Sequence, residues 1–145
     1  MAMRASREMV FDASPEAILD ALADMEEVPS WSTVHQRVEV LDRYPDGRPH
    51  HVKATLKLMG VTDREVLEYH WGPDWVVWDA EDTFQQRGQH GEFVLTRLGD
   101  QTRVRFDLII DVAAPIPEFL ARRAKRIVLD SAIERLRCRV TRTCG

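Results

Sequence analysis

A chain of 145 residues with 44% apolar and 30% charged residues has the composition of a globular domain, and one core is the default at that length. A net charge of −4 gives no general attraction to nucleic acid, and no run approaches the roughly 18 apolar residues of a membrane span. Cys138 and Cys144 are too few for a disulfide framework or a zinc site, and MAMRASREMV lacks the apolar core of a signal peptide, so a cytoplasmic protein with reduced thiols is expected.

The alternation of Met3 to Phe11 predicts a strand. In Asp12-Ala-Ser-Pro-Glu16, Ser14 reads as an N-cap with Pro15 at the first helical position, and Ile18, Leu22 and Met25 give the helix to about Ala23 one apolar stripe. Val28-Pro-Ser-Trp31 predicts a second short helical turn anchored by Trp31. From there the period changes to two. Val34–Arg43 ends at Tyr44-Pro-Asp-Gly47, a turn in which Pro45 sets φ. His51–Met59, Val61–Trp71, Trp75–Ala80, Gly91–Leu98 and Thr102–Val112 follow as strands separated by short Gly-containing turns, except before Gly91, where a stretch around Gln85–Gln89 is unassigned and the register of 85–92 is open. Strands joined this way pair antiparallel, one face wet and one apolar.

Pro117 to Cys138 predicts a single helix about 33 Å long. At 100° per residue Leu120, Ala121, Ala124, Ile127, Val128, Ser131 and Ala132 share a face, and Arg135 and Arg139 fall near its middle. Four of the seven are small, which leaves either a gap opposite the helix or room for a close neighbour. Residues 117–145 carry eight Lys/Arg against three Asp/Glu, a balance of +5 that leaves −9 for residues 1–116. That asymmetry is either complementary charge within the fold or a surface for an anionic partner. With no repeat or linker, residues 1–145 form one α+β domain. Its antiparallel sheet of about seven strands curls around the terminal helix, with two short helices after the first strand.

Val10-Phe-Asp-Ala-Ser-Pro-Glu-Ala17, Leu22-Ala-Asp24, Val28-Pro-Ser-Trp31, Val38-Glu-Val-Leu41, Tyr44-Pro-Asp-Gly-Arg48, Thr102-Arg-Val104 and Val128-Leu-Asp130 together resemble the START-like (SRPBCC) superfamily, in its polyketide cyclase/dehydrase and lipid-transport branch. The resemblance implies a helix-grip fold with a cavity between sheet and helix that takes hydrophobic molecules or lipids. Some relatives are aromatases or cyclases of polyketide chains and many only bind, so fold likeness does not decide between these.

The faces assigned inward place Leu56, Leu58, Leu67, Tyr69, Trp78, Phe93, Phe106 and Leu108 of the sheet opposite Leu120, Ala124 and Val128 of the helix, with Trp31 at the side. These residues are expected either to line an apolar ligand site or to pack as core. Glu65 shares a strand face with Leu67. It is a proton donor or base if it points inward, and an exposed or Arg135-paired carboxylate if it does not. His35 and His70 are assigned outward, His50-His51 should diverge on a strand, and His90 is the one histidine that stands as a site candidate. No metal-ligand spacing, cofactor fingerprint or catalytic set is present, so no metal or cofactor is expected. The leading expectation is a carrier of a hydrophobic small molecule or lipid, without stable membrane insertion. The alternatives are a cofactor-free cyclase, aromatase or dehydratase, and docking through the basic helix surface.

Overall fold

The computed structural model describes residues 2–81, 83 and 85–142. Strand β1 (Ala2–Phe11) leads into α1 (Pro15–Ala23), where Ser14 Oγ accepts the Ala17 N–H at 3.1 Å and caps the helix over the Pro15 start. A single 3-10 turn (Met25–Glu27) and the four-residue α2 (Val28–Trp31) follow. The strands β2 (His35–Arg43), β3 (Pro49–Leu58), β4 (Val61–Trp71), β5 (Trp75–Ala80), β6 (Gln86–Leu98) and β7 (Gln101–Val112) then form a meander. All seven strands make one antiparallel sheet in the order β1-β7-β6-β5-β4-β3-β2, so the first and second strands of the chain form its two edges. Met59 and Gly60 link β3 to β4 with φ of 51° and 81°, a two-residue turn with both central residues left-handed that matches the strand twist.

Three register shifts interrupt β2 against β3, and one interrupts β6 against β7 between Gln86 and Gly88. Each inserts a residue that the partner strand does not match, bends its strand and reverses which side chains face inward beyond it. The segment whose register was open in the sequence therefore belongs to β6, five residues longer than the Gly91–Leu98 strand expected from alternation.

The terminal helical stretch runs as α3 (Glu118–Leu129), a π-helical segment (Asp130–Arg135) and α4 (Leu136–Thr141). The π segment corrects the helical wheel. Its wider turn adds a residue relative to an α-helix and shifts the phase of everything after it. Ile133 and Leu136 thereby become fully buried, and Arg135 is exposed, with its Nε donating to the Trp31 carbonyl oxygen at 3.1 Å. The two halves of the stretch consequently do different work. Ile133 and Leu136 close a packed core with Phe11, Ile18 and Val104, whereas α3 contributes only Ala121 and Ala124 to the buried set. Cys138 is half-buried in α4, and Cys144 lies outside the described residues. Among the described residues no helix is long and apolar enough to cross a membrane.

Candidate functional site

Between the concave face of the sheet and the first half of the terminal helix lies a cavity of about 530 Å³. Helix residues Ala124, Lys125, Val128, Ser131 and Ala132 form one wall, so the cavity ends along the helix where the π segment turns Ile133 into packed core. Of the residues singled out in the sequence, Trp31, Leu56, Leu58, Glu65, Leu67, Tyr69, Trp78, Phe93, Phe106, Leu108, Ala124 and Val128 all contribute to the lining. Leu120 does not: it sits half-buried in the first turn of α3, before the helix reaches the cavity. The walls reach the surface at Met59 and Val61 of the β3–β4 turn and at Ala113 and Ala114 before α3, all four exposed.

The floor is a run of aromatic rings across four strands. Centroid separations are 5.6 Å from Tyr69 to Trp78, 5.8 Å from Trp78 to Phe93 and 4.9 Å from Phe93 to Phe106. Gly91, the cross-strand partner of Trp78, makes the floor possible, because a Cβ there would lie 2.2 Å from the indole ring. Gly91→Ala is therefore expected to lift Trp78 from its place and to cost about 1–3 kcal/mol in urea unfolding, with near-ultraviolet circular dichroism reporting the displaced indole. An unchanged spectrum and stability would mean that the ring has slack at this position.

One carboxylate cluster breaks the apolar lining. Glu65 is buried, and its Oε2 accepts both the Gln86 amide at 2.8 Å and the Gln89 amide at 3.0 Å. Gln86 Nε2 also donates to Asp63 Oδ2 at 3.1 Å, Thr83 Oγ1 donates to the same oxygen at 2.6 Å, and Trp78 Nε1 donates to Gln89 Oε1 at 2.9 Å. With Gln89 Nε2 bonded also to Gln86 Oε1 at 3.3 Å, both protons of each amide are used. Glu65 Oε1 accepts no hydrogen bond among the described residues. Desolvation, reinforced by the charge of Asp63 and opposed by the two amides, raises the Glu65 carboxyl to about 7. Since Oε2 is occupied by donors, the proton of the neutral acid belongs on Oε1. Burial and Glu65 likewise hold the Tyr69 phenol well above its ordinary value.

On β2 the assignment of His35 as outward is wrong. A register shift between His35 and Arg37 reverses the alternation counted back from Val38, so His35 pairs with Leu56 and lines the cavity. Its Nδ1 lies 2.7 Å from Ser32 Oγ, which in turn lies 2.9 Å from Ser131 Oγ on the π segment, and desolvation lowers the imidazole to about 4. His35 is thus neutral across the physiological range. Trp31 Nε1 is the buried side-chain polar atom left without a partner among the described residues. His90, the histidine that the sequence favoured, lies on the outer face of the sheet with Nδ1 2.7 Å from Asp79 Oδ1. Glu65 does not pair with Arg135.

Gln86 and Gln89 were missed because two residues three apart do not share a face of a regular strand. The extra residue Arg87, placed by the shift between Gln86 and Gly88, brings both amides inside. Polar residues crowded into Gln85–Gln89 were the available sign.

A family model described as polyketide cyclase / dehydrase and lipid transport matches residues 2–141. A START superfamily protein from Mycobacterium smegmatis superposes with a TM-score of 0.85 at 22% identity, over 97% of this chain and 99% of that one. A protein from Thermus thermophilus gives 0.79 at 20% identity, over 98% and 99%. The ZhuI aromatase/cyclase from Streptomyces sp. R1128 gives 0.79 at 12% identity, over 98% and 95%. No curated protein matches by sequence.

Proposed function

The chain belongs to the polyketide cyclase/dehydrase and lipid transport family, and we propose that it binds one hydrophobic small molecule or lipid, unchanged, in the cavity between the sheet and α3. The observation that carries this reading is the cavity itself, about 530 Å³ of mostly apolar wall that reaches solvent beside Met59. A mostly apolar space of this size suits a ligand with a flat or acyl body. The buried carboxyl group of Glu65 favours a ligand that also carries an oxygen able to accept the Oε1 proton. Trp31, Trp71 and Trp78 line the space, so occupancy is readable in intrinsic fluorescence. Titration with long-chain fatty acids and polycyclic aromatics is expected to give saturable quenching at one ligand per chain. The absence of saturation across that panel would remove the binding reading.

A second reading, favoured by the free oxygen of Glu65, is cofactor-free cyclisation of a polyketone. The Glu65 carboxylate would take a proton from the carbon between two ketones, and the enolate carbon would attack a second carbonyl of the same chain. The proton would then pass to the resulting alkoxide, and loss of water would give the cyclised enone. Multiple turnover of a polyketone that is lost in Glu65→Gln supports this reading. Recovery of the compound unchanged supports carriage.

A further inference from the structure

On the convex face of the sheet, opposite the cavity, three strands bring together Asp42 of β2, His50 and His51 of β3, and Glu68 and His70 of β4. Adjacent side chains on a strand normally point to opposite faces, which is why His50-His51 was not expected to act as a pair. The ladder explains the difference. Asp42 pairs with His51 and Arg43 with Pro49, so His50 is an extra, unmatched residue, and such a bulge puts consecutive side chains on one side. The two imidazole centroids lie 4.0 Å apart, and Tyr44 stacks on the other face of His50 at 4.3 Å. Tyr44 is itself fixed by donating its hydroxyl to the Tyr69 carbonyl oxygen at 2.7 Å.

We propose that Asp42, His50 and His51 form a binding site for a divalent transition-metal ion of the zinc class, with Glu68 orienting the His51 imidazole from behind. One ligand atom from each of the three lies within 4.8 Å of the others. His51 Nδ1 is 3.0 Å from Asp42 Oδ2, and His50 Nδ1 is 3.7 Å from Asp42 Oδ1. Tetrahedral zinc with bonds of about 2.0–2.1 Å separates its ligand atoms by roughly 3.3 Å, between those two values. Glu68 Oε2 meets the opposite nitrogens, His51 Nε2 at 3.2 Å and His50 Nε2 at 3.9 Å. A carboxylate accepting the second ring N–H of a ligating histidine is the usual outer support of such a site. His70 Nε2 holds the other oxygen of Glu68 at 2.9 Å, and the Asp42 carboxylate is fixed by the His51 backbone N–H at 2.8 Å. Two imidazoles and a carboxylate suit zinc, nickel or copper rather than calcium or magnesium, and the solvent side leaves a position for water.

The test uses the full chain without an affinity tag, stripped with chelator and titrated with Zn²⁺ by calorimetry, with Co²⁺ as a spectroscopic stand-in. One equivalent of Zn²⁺ is expected to bind saturably, and Co²⁺ to develop the visible bands of a four-coordinate ion. His50→Ala/His51→Ala should abolish both, Glu68→Gln should weaken binding by about tenfold or more, and His90→Ala, which removes an exposed histidine elsewhere on the outer face, should change neither. Unchanged affinity in His50→Ala/His51→Ala, or no saturable binding by the parent chain, would overturn the site.

Discussion

Replacing Ala124 with phenylalanine is expected to abolish ligand uptake while leaving the fold in place. Ala124 is buried in α3, yet its side of the helix forms a wall of the 530 Å³ cavity, so a benzyl group has empty space to enter rather than neighbours to displace. The added ring would occupy the position of the ligand's own apolar surface. Loss of even about 3 kcal/mol of those contacts is a fall of roughly a hundredfold in affinity. The stability cost should stay below the 1–3 kcal/mol typical of overpacking a filled core. Ala121 supplies the control. It is equally buried on the same helix but outside the lining, so Ala121→Phe should bring the full overpacking cost while much of the binding survives. Fluorescence titration and urea unfolding of the two variants separate the cases. Equal losses of stability in both, with affinity retained in Ala124→Phe, would place the ligand elsewhere.

The second large effect concerns Glu65 and pH. Its carboxyl rises from 4.5 to about 7 on folding, so the unfolded chain ionises first and the folded chain holds the proton longer. The group's contribution to stability is complete below about pH 4.5 and is lost progressively as pH rises towards 7. It amounts to about 3 kcal/mol, on 1.36 kcal/mol per pH unit. His35 acts in the opposite sense across the same window. Its folded-state value is lowered to about 4, so it stabilises the protein above pH 6.5 and loses that contribution as pH falls. The parent chain's pH profile alone therefore mixes two opposed slopes. Glu65→Gln isolates the carboxyl, because the side-chain carbonyl oxygen can still accept from Gln86 and Gln89 while carrying no charge. Urea unfolding at pH 5 should find the two chains within about 1 kcal/mol. At pH 8 the variant should be more stable by about 3 kcal/mol. A difference independent of pH would mean that Glu65 is ionised at no unusual cost.

The order of elements, the curled sheet and the small-residue face of α3 were legible because each rests on a regular period: two along the strands and 3.6 along the helix. What escaped was placed by departures from those periods. A shift after His35 turned an outward histidine into a cavity residue, and the extra residue Arg87 brought Gln86 and Gln89 to the same carboxylate. The π segment exchanged Arg135 for Ile133 on the buried face, and the bulge at His50 joined two imidazoles that alternation separates. Bulges and π turns depend on which long-range pairing wins, and no local propensity of Arg87, His50 or Asp130 announces them. The inward direction of Glu65 was one of two readings of its strand position. The amides that favour it come from β6, some twenty residues further along the chain.

Native mass spectrometry of the freshly purified chain beside Ala124→Phe tests the cavity's role most directly. The expected spectrum of the parent has a population heavier by one small molecule, released on collisional activation with its mass unchanged, and Ala124→Phe prepared in parallel lacks it. A parent chain that stays bare, and that remains bare after incubation with fatty acids and polycyclic aromatics, would contradict the account.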